Sequence, residues 1–197
     1  LKRALGLDPD NAAARVALAR VQCDLKHCAE AIEPLKKLVA AQPKNLDARL
    51  ALVRALVETG DAAAAATLAP ALKDAPKAAP VLYWQGRVLL AAAKPDREQA
   101  LQRFKDAIAA DPKLIPAYVA ESNTFAALGQ PDDAVAALLA AQAQAQAADD
   151  AQLMIELGEA YQALGRPADA EARFRAALDK KPDARNARVD LGASREA

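Results

Sequence analysis

Three residues that could coordinate a metal or form a disulfide lie close together near the start of the chain. They are Cys23, His27 and Cys28, and they include both cysteines and the only histidine of the sequence. A structural zinc site needs four ligands, and here there are three candidates, two of them adjacent. A disulfide across this short segment is conceivable but geometrically demanding. We expect a small, buried or half-buried cysteine pair beside an exposed histidine, and no metal site.

Motifs of enzymatic chemistry are almost absent from the sequence. It contains no glycine-rich phosphate loop, no GxSxG and no HExxH. A single histidine leaves little room for histidine-based acid–base catalysis, and the acidic residues are spread along predicted helix surfaces. We predict that the chain is not an enzyme and binds no cofactor.

Composition narrows the class of protein further. Lys+Arg and Asp+Glu both number 26, so the formal net charge of zero argues against a nucleic-acid partner, which would need a basic excess. No apolar run approaches the ~20 residues of a membrane-spanning helix. Much of the 53% hydrophobic content is alanine and only 4% is aromatic, which predicts a helix-rich chain with thin, close-packed interfaces.

The sequence repeats itself with a period of about 34 residues. Prolines mark the period, with spacings of 34, 33, 36 and 70, at Pro9, Pro43, Pro76, Pro112 and Pro182. An alanine recurs in step at Ala31, Ala65, Ala100, Ala134 and Ala170, and a glycine at Gly60, Gly129 and Gly165. A repeat of this length indicates stacked supersecondary units that bury their apolar faces only against their neighbours.

The repeat resembles the tetratricopeptide repeat (TPR) family. Its most regular copy is 151–184, which matches the family pattern at Met154, Leu157, Gly158, Tyr161, Gly165, Ala170, Phe174, Ala177 and Pro182. The resemblance implies an all-α fold, an α-solenoid of about five helical hairpins plus half-repeats at both ends, wound into a right-handed superhelix. We predict one array over 1–197, with repeats at 12–45, 46–78, 79–114, 115–148 and 151–184 and partial repeats at 1–11 and 185–197.

Physical reasons accompany the pattern in the best copy. Gly158 and Ala170 are expected to be small because the two helices of the pair cross there. Tyr161 and Phe174 are expected to fill the space between neighbouring repeats. Gly165 can adopt the left-handed backbone that ends a helix.

Other copies depart from the pattern in ways that predict local changes. Lys26 stands in place of the turn glycine, and Pro70 should shorten or kink its helix. The turn of the third repeat is two residues longer than usual. The second helix of the fourth repeat should extend to about Asp149, with Asp150 as the N-cap of the next helix.

The resemblance also implies a concave groove lined by the first helix of each repeat. One recurrent place on those helices holds Arg20, Arg54, Arg87, Asn123 and Glu159. Three arginines would then lie in a row, and Arg87 follows Tyr83 by one helical turn, next to the only tryptophan, Trp84. Aromatic and guanidinium groups are common anchors at interfaces. We predict that all seven of these residues contact a partner.

An alternative interpretation treats these residues as structural. Arg20 and Arg54 each have an acidic residue four positions on, Asp24 and Glu58, that could neutralise them on a solvated face. Arg87 has no such residue, so it is the favoured ligand contact. Tyr83 and Trp84 could equally belong to the core. The groove turns acidic in the C-terminal half, at Glu156, Glu159 and Asp190.

We predict a non-catalytic scaffold that binds a peptide or protein in the concave groove, within bacterial envelope assembly such as polysaccharide secretion, pilus or motility machinery. Some TPR domains clamp a carboxylate terminus with lysine and asparagine, which are mostly missing here. The alternatives are a substrate-presenting arm of a larger enzyme, or self-association through uncapped ends. The ends of the sequence suggest a segment of a longer, bacterial protein, in the periplasm or envelope, with the cytoplasm as second choice.

Overall fold

A computed structural model describes residues 11–61, 64–144 and 150–183, and these residues are helical with no β-strand among them. Ten helices occur in this part of the chain: α1 Ala12–Asp24, α2 Cys28–Ala41, α3 Leu46–Thr59, α4 Ala64–Asp74, α5 Ala79–Ala91, α6 Arg97–Ala110, α7 Ile115–Ala127, α8 Pro131–Gln144, α9 Ala151–Ala163 and α10 Pro167–Lys180. None of them combines the length and apolar character that a membrane crossing requires. The partial repeats predicted at the two ends fall largely outside the described residues.

The chain divides into two compact units, Leu1–Gln99 and Ala100–Ala197. In the N-terminal unit the helices pack in chain order, α1 against α2, α2 against α3, α3 against α4 and α4 against α5. The helix that begins each pair also packs against its counterpart, α1 against α3 and α3 against α5. Alternate helices therefore share one face of this unit, and we call α1, α3 and α5 its first helices.

Two buried clusters hold the N-terminal unit together. One joins α1, α2 and α3 through residues such as Val16, Leu35 and Leu52. The other joins α3, α4 and α5 through Leu50, Val53, Leu68, Ala71 and Val81. Small alanines between these larger side chains allow the helices to approach closely, which keeps the buried layer thin.

The C-terminal unit is built in the same way, with α7 and α9 as first helices that pack against each other. Its core includes Tyr118, Leu138, Leu157, Tyr161 and Phe174. A Cβ atom on Gly158 would overlap the ring of Phe174, which is fully buried. The small residue at this crossing is therefore required by an aromatic ring of the same helical pair.

Four of the five turns inside the pairs, all except the one between α5 and α6, share one backbone conformation. Gly60, Gly129 and Gly165 have positive φ angles of 73°, 73° and 66°. Lys26 occupies the equivalent place in the first pair and takes the same left-handed conformation, with φ 66°. A side chain disfavours that conformation by about 1 kcal/mol relative to glycine. The turn of the first pair is therefore intrinsically less stable than the other three.

A disulfide between Cys23 and Cys28 closes this turn, which contradicts our expectation of a simple cysteine pair. Cys23 is the last residue but one of α1 and Cys28 begins α2, and both are buried. The left-handed Lys26 reverses the chain tightly enough to bring the two sulfurs together, a geometry that spacing alone does not show. His27 is exposed, as expected, and its ring lies 3.1 Å from Glu30.

Several of the predicted local departures can be compared with the structure. The link between α5 and α6 is five residues long, 92–96, and Asp96 caps α6 by accepting a hydrogen bond from the Gln99 amide at 2.9 Å. The helix that contains Pro70 is α4; residues 62–63, directly before it, lie outside the described residues, so its shortening stays a prediction. Asp150 is the N-cap of α9, as predicted. The predicted extension of α8 lies at 145–149, outside the described residues, and the repeat bounds stay a prediction.

Candidate functional site

The first helices of the N-terminal unit bring three of the predicted arginines onto one face. Arg20 lies on α1, Arg54 on α3 and Arg87 on α5, at the same place in each helix. Because α3 packs between α1 and α5, the three arginines follow one another across successive helices. We call this surface, together with its acidic partners and Tyr83 and Trp84, the arginine face.

Each arginine of this face pairs with an acid on a neighbouring first helix. Arg54 contacts Asp24 of α1 at 2.6 Å, and Arg20 contacts Asp47 of α3 at 3.2 Å. The pairs suggested by the sequence, within one helix at a spacing of four, are therefore wrong. The acids do neutralise arginines, but between helices, so the ion pairs link one repeat to the next.

Arg87 also has an acidic partner, contrary to our expectation. Its Nη2 donates to Oε1 of Glu58 on α3 at 3.1 Å, and its Nη1 donates to the hydroxyl of Tyr83 at 3.0 Å. Burial lowers the pKa of Arg87, but Tyr83 and Glu58 outweigh it, so the net pKa is raised. The guanidinium is therefore a fixed cation held from two sides.

Tyr83, Trp84 and Arg87 form a compact cluster on α5. The two rings lie edge to face, with centroids 5.1 Å apart and planes at 72°. The guanidinium carbon of Arg87 lies 5.6 Å from the Trp84 ring centroid and 6.0 Å from that of Tyr83. Both rings are half-buried. Such a cation beside aromatic faces is favourable, by about 0.5–1 kcal/mol at exposed sites.

Trp84 also belongs to the core, so both interpretations of this residue hold in part. It packs against the buried cluster that contains Leu50, Val53 and Val81. One side of the indole is therefore fixed by packing while another part reaches the surface. A side chain held this way needs little further ordering when a partner binds, which favours affinity.

A shallow groove lies beside the arginine face, between α1 and α3. Its volume is about 320 Å³, and it is lined by Ala12, Ala13, Val16, Ala17, Arg20, Asn45 and Asp47. The floor consists of small apolar side chains, and the polar residues stand at the rim. An extended segment with small side chains fits such a groove.

The remaining two predicted residues, Asn123 and Glu159, lie in the C-terminal unit. Asn123 is exposed on α7 and Glu159 is exposed on α9. Nearby, Glu156 accepts a hydrogen bond from Gln152 at 3.0 Å. The structure thus brings five of the seven predicted residues together in one unit and places the other two on the first helices of the second unit.

Two buried charged residues, Arg49 and Glu121, were not predicted from the sequence. Arg49 donates to Oδ2 of Asp74 at 3.0 Å and to the carbonyl of Pro43. Tyr118, at the same place in α7, donates to the carbonyl of Pro112 at 3.3 Å. Both carbonyls belong to prolines that mark the repeat period. A large apolar residue normally stands here, so the arginine itself was the available signal.

Glu121 is the second missed residue, a carboxylate buried on α7. Burial raises its pKa, although the cation of Lys105 acts in the opposite direction. The pKa of Tyr118 is raised as well, by burial and by the negative charges of Glu121 and Asp111. Lys105 lies 5.4 Å from the ring centroid of Phe125, so a cation, a phenol and two acids surround this part of α7.

Replacing Glu121 with leucine should raise the free energy of unfolding by about 1 kcal/mol at pH 7. Because the pKa of Glu121 is raised in the folded state, folding disfavours the charged carboxylate. Glu121 therefore destabilises the fold at pH values above that pKa. As the pH falls through it, the wild-type protein takes up a proton and the penalty disappears, so the advantage of the variant should shrink toward pH 4. Urea unfolding across pH tests this, with exposed Glu98→Leu as the control. An advantage independent of pH would contradict the assignment.

No three His, Cys, Asp or Glu side chains are placed to hold a metal ion within the ranges the structure describes. The described residues form an all-α helical repeat solenoid. The sequence profile described as Tetratricopeptide repeat matches residues 1–45, 17–69, 119–184 and 155–196. The matches cover more than half of the chain, which belongs to the tetratricopeptide repeat family. Proteins of this family are generally non-catalytic scaffolds for protein or peptide partners.

Solved structures of low sequence identity share the fold. A thermophilic TPR protein of Thermus thermophilus is 22% identical with a TM-score of 0.81, over 94% of this chain and 99% of that one. A TPR protein of Parabacteroides merdae is 14% identical with a TM-score of 0.79, over 98% and 75%. YrrB, described as a TPR protein with an unusual peptide-binding site, is 18% identical with a TM-score of 0.58, over 98% and 97%. No curated protein matches the chain.

Proposed function

We propose that the chain binds a peptide or protein segment on the arginine face and acts through binding alone, without catalysis. The observation that carries this proposal is the cluster of Tyr83, Trp84 and Arg87, which presents two half-buried rings beside a fixed cation. Tryptophan, tyrosine and arginine dominate the residues that contribute most to binding at interfaces. The peptide-binding site in the description of YrrB, which has the same fold, supports a similar role here.

The disulfide favours an oxidising compartment as the place where the proposed binding occurs. Disulfides persist in oxidising environments such as the bacterial periplasm and are rare in the cytosol. A buried bond between Cys23 and Cys28 therefore favours the periplasm or envelope over the cytoplasm. We propose accordingly that the scaffold organises an envelope assembly. The bacterial proteins that share the fold support a bacterial origin of the chain.

The proposal is tested by changing Tyr83 to alanine, which removes one ring and the hydroxyl that holds Arg87. We expect affinity for the captured partner to fall about tenfold or more, since such anchors contribute about 2 kcal/mol or more. Immobilised wild-type chain would capture partners from an envelope extract of the source organism, and mass spectrometry would compare the variants. Circular dichroism would establish that each variant is folded.

Phe125→Ala is the matched control for this experiment. Phe125 is also a half-buried aromatic residue beside a cation, but it lies on α7 in the other unit. Partner capture should survive this substitution. Retention of the same partner by folded Tyr83→Ala would refute binding through the arginine face.

A further inference from the structure

The ion pairs of the arginine face are not symmetrical toward solvent. In the Arg54–Asp24 pair the arginine side chain is 28% exposed and the aspartate 64%. In the Arg20–Asp47 pair the values are 55% and 76%. The Arg87–Glu58 pair is nearly even, at 30% and 32%. The arginines lie deeper than the acids in two pairs, so carboxylates form the outermost charged layer of the face.

Hydrogen bonding shows a similar asymmetry at the Arg87 pair. Each of the three carboxylates contacts its arginine through a single oxygen, Oδ1 of Asp24, Oδ1 of Asp47 and Oε1 of Glu58. Within the described residues, their second oxygens accept no hydrogen bond. Arg87, by contrast, already uses both terminal nitrogens, on Tyr83 and Glu58. At the Arg87 pair the unused hydrogen-bond capacity therefore belongs to the acid, Glu58, whereas Arg20 and Arg54 each donate through Nη2 alone.

The aromatic rings add an independent preference for cations. Ring faces carry negative partial charge, and they attract ammonium and guanidinium groups within about 6 Å. Arg87 already lies beside Tyr83 and Trp84, which shows that this part of the surface accommodates a cation. An acidic ligand would meet the same rings unfavourably, and at Arg54 and Arg87, whose side chains are 28% and 30% exposed, it would compete with the carboxylate already bound.

We infer that the partner segment is basic, with lysine or arginine side chains that meet the outer oxygens of Asp24, Asp47 and Glu58. This inference rests on the proposed function and specifies its ligand. The cationic heads bind the carboxylates, the aliphatic stems lie on the rings of Tyr83 and Trp84, and small residues enter the alanine-floored groove beside Asp47. Arg20 and Arg54 act as positioning residues that hold Asp47 and Asp24 in place. Arg87 holds Glu58 in the same way and forms, with the two rings, the surface on which the segment lies.

An exposed carboxylate on a first helix of the second unit carries the same charge as the outer carboxylates of the arginine face. On the first helix α9, Glu159 is exposed at the place that Arg54 and Arg87 occupy in their helices. The first helices of each unit, taken separately, therefore present carboxylates to solvent. Complementary charges steer association and fix register more than they raise affinity, so binding should be fast and sensitive to salt.

Two synthetic peptides test the inference with the whole chain. One is a blocked repeat of Gly-Lys-Ala, and the other replaces every lysine with glutamate. Trp84 is the only tryptophan and lies in the face, so its fluorescence reports binding there. We expect the lysine peptide to change this fluorescence saturably, the glutamate peptide to do so far less, and the change to weaken between about 0.05 M and about 0.5 M salt.

The double variant Asp24→Asn and Asp47→Asn removes two outer charges while keeping side-chain shape. Affinity for the lysine peptide should fall about fivefold, as expected for two exposed charge contacts. Affinity for the glutamate peptide should rise, because Arg20 and Arg54 lose their ionic partners. The control is Asp133→Asn with Asp179→Asn, two exposed aspartates on second helices, and it should leave both affinities unchanged.

Three results would overturn the inference. They are equal or tighter binding of the glutamate peptide by the wild-type chain, unchanged affinity of the Asp24 and Asp47 variant, and no response of Trp84 to either peptide. The proposed function is tested separately by Tyr83→Ala. A partner lost with that variant while the glutamate peptide binds more tightly would keep the binding face and refute only its charge preference.

Discussion

Replacing Phe174 with alanine should lower the free energy of unfolding by about 3–5 kcal/mol. The ring is fully buried in the core of the C-terminal unit, among Leu138, Leu157 and Tyr161. It also fills the space that opens because Gly158 has no side chain. Alanine would leave a cavity in a thin, alanine-rich interface, where few large side chains are available to move into it. Urea unfolding followed by circular dichroism measures the loss.

A double-mutant cycle separates this packing from simple hydrophobicity. In the wild-type chain, Gly158→Ala should be destabilising because its Cβ would overlap the Phe174 ring. In the Phe174→Ala background the same change should become stabilising, since alanine is preferred over glycine in helices by about 1 kcal/mol. The sign of the Gly158 effect should therefore reverse. An equal effect in both backgrounds would mean that the two residues do not constrain each other.

Partly exposed Phe125 provides the control for the size of the effect. It is the corresponding kind of residue, an aromatic side chain of the same unit, but it keeps contact with solvent. Phe125→Ala should cost clearly less than Phe174→Ala, because less apolar surface leaves the protein interior. Equal losses would indicate that stability in this unit does not follow burial.

The fold could be predicted from the sequence because each repeat encodes the same local rules several times. Proline and glycine at fixed spacing set the helix ends, and the small residue at Gly158 indicated a close crossing. Asp150 was recognisable as an N-cap because its carboxylate satisfies the first free amides of α9, those of Gln152 and Leu153. Local backbone chemistry of this kind does not depend on where other helices lie.

The candidate site could be predicted only in part, because its contacts join different repeats. The sequence placed Arg20, Arg54 and Arg87 in a row, but it could not show which acid each one meets. Neighbouring first helices are offset along their axes, so Arg54 meets Asp24 of the preceding helix and Glu58 meets Arg87. That offset is set by packing of whole side-chain layers, which the sequence of a single repeat does not show.

The disulfide escaped prediction for a related reason. Cys23 and Cys28 are five residues apart, and most backbone paths over five residues keep two sulfurs from meeting. Here α1 ends at Asp24, α2 begins at Cys28, and Lys26 between them takes the left-handed conformation that glycine provides elsewhere. The cysteines indicated the chemistry, but only the positive φ of a lysine brings them into bonding position.

Removing this disulfide with Cys23→Ala and Cys28→Ala should lower the free energy of unfolding by about 2 kcal/mol. The bond restricts the unfolded chain over a five-residue loop, and this small loop accounts for the modest size of the effect. The loss should concentrate in the N-terminal unit, because without the bond the left-handed Lys26 is no longer held, and glycine at this position should recover about 1 kcal/mol.

Reduction offers the matching experiment without mutation. A thiol reductant should lower the midpoint of unfolding of the wild-type chain toward that of the double alanine variant, which should not respond to reductant. Thiol titration in denaturant would show two free thiols only after reduction. Because Asp24 follows Cys23 directly and pairs with Arg54, loosening of this turn should also weaken binding at the arginine face. A reduced wild-type chain with an unchanged midpoint would show that the bond adds nothing to the stability of the turn.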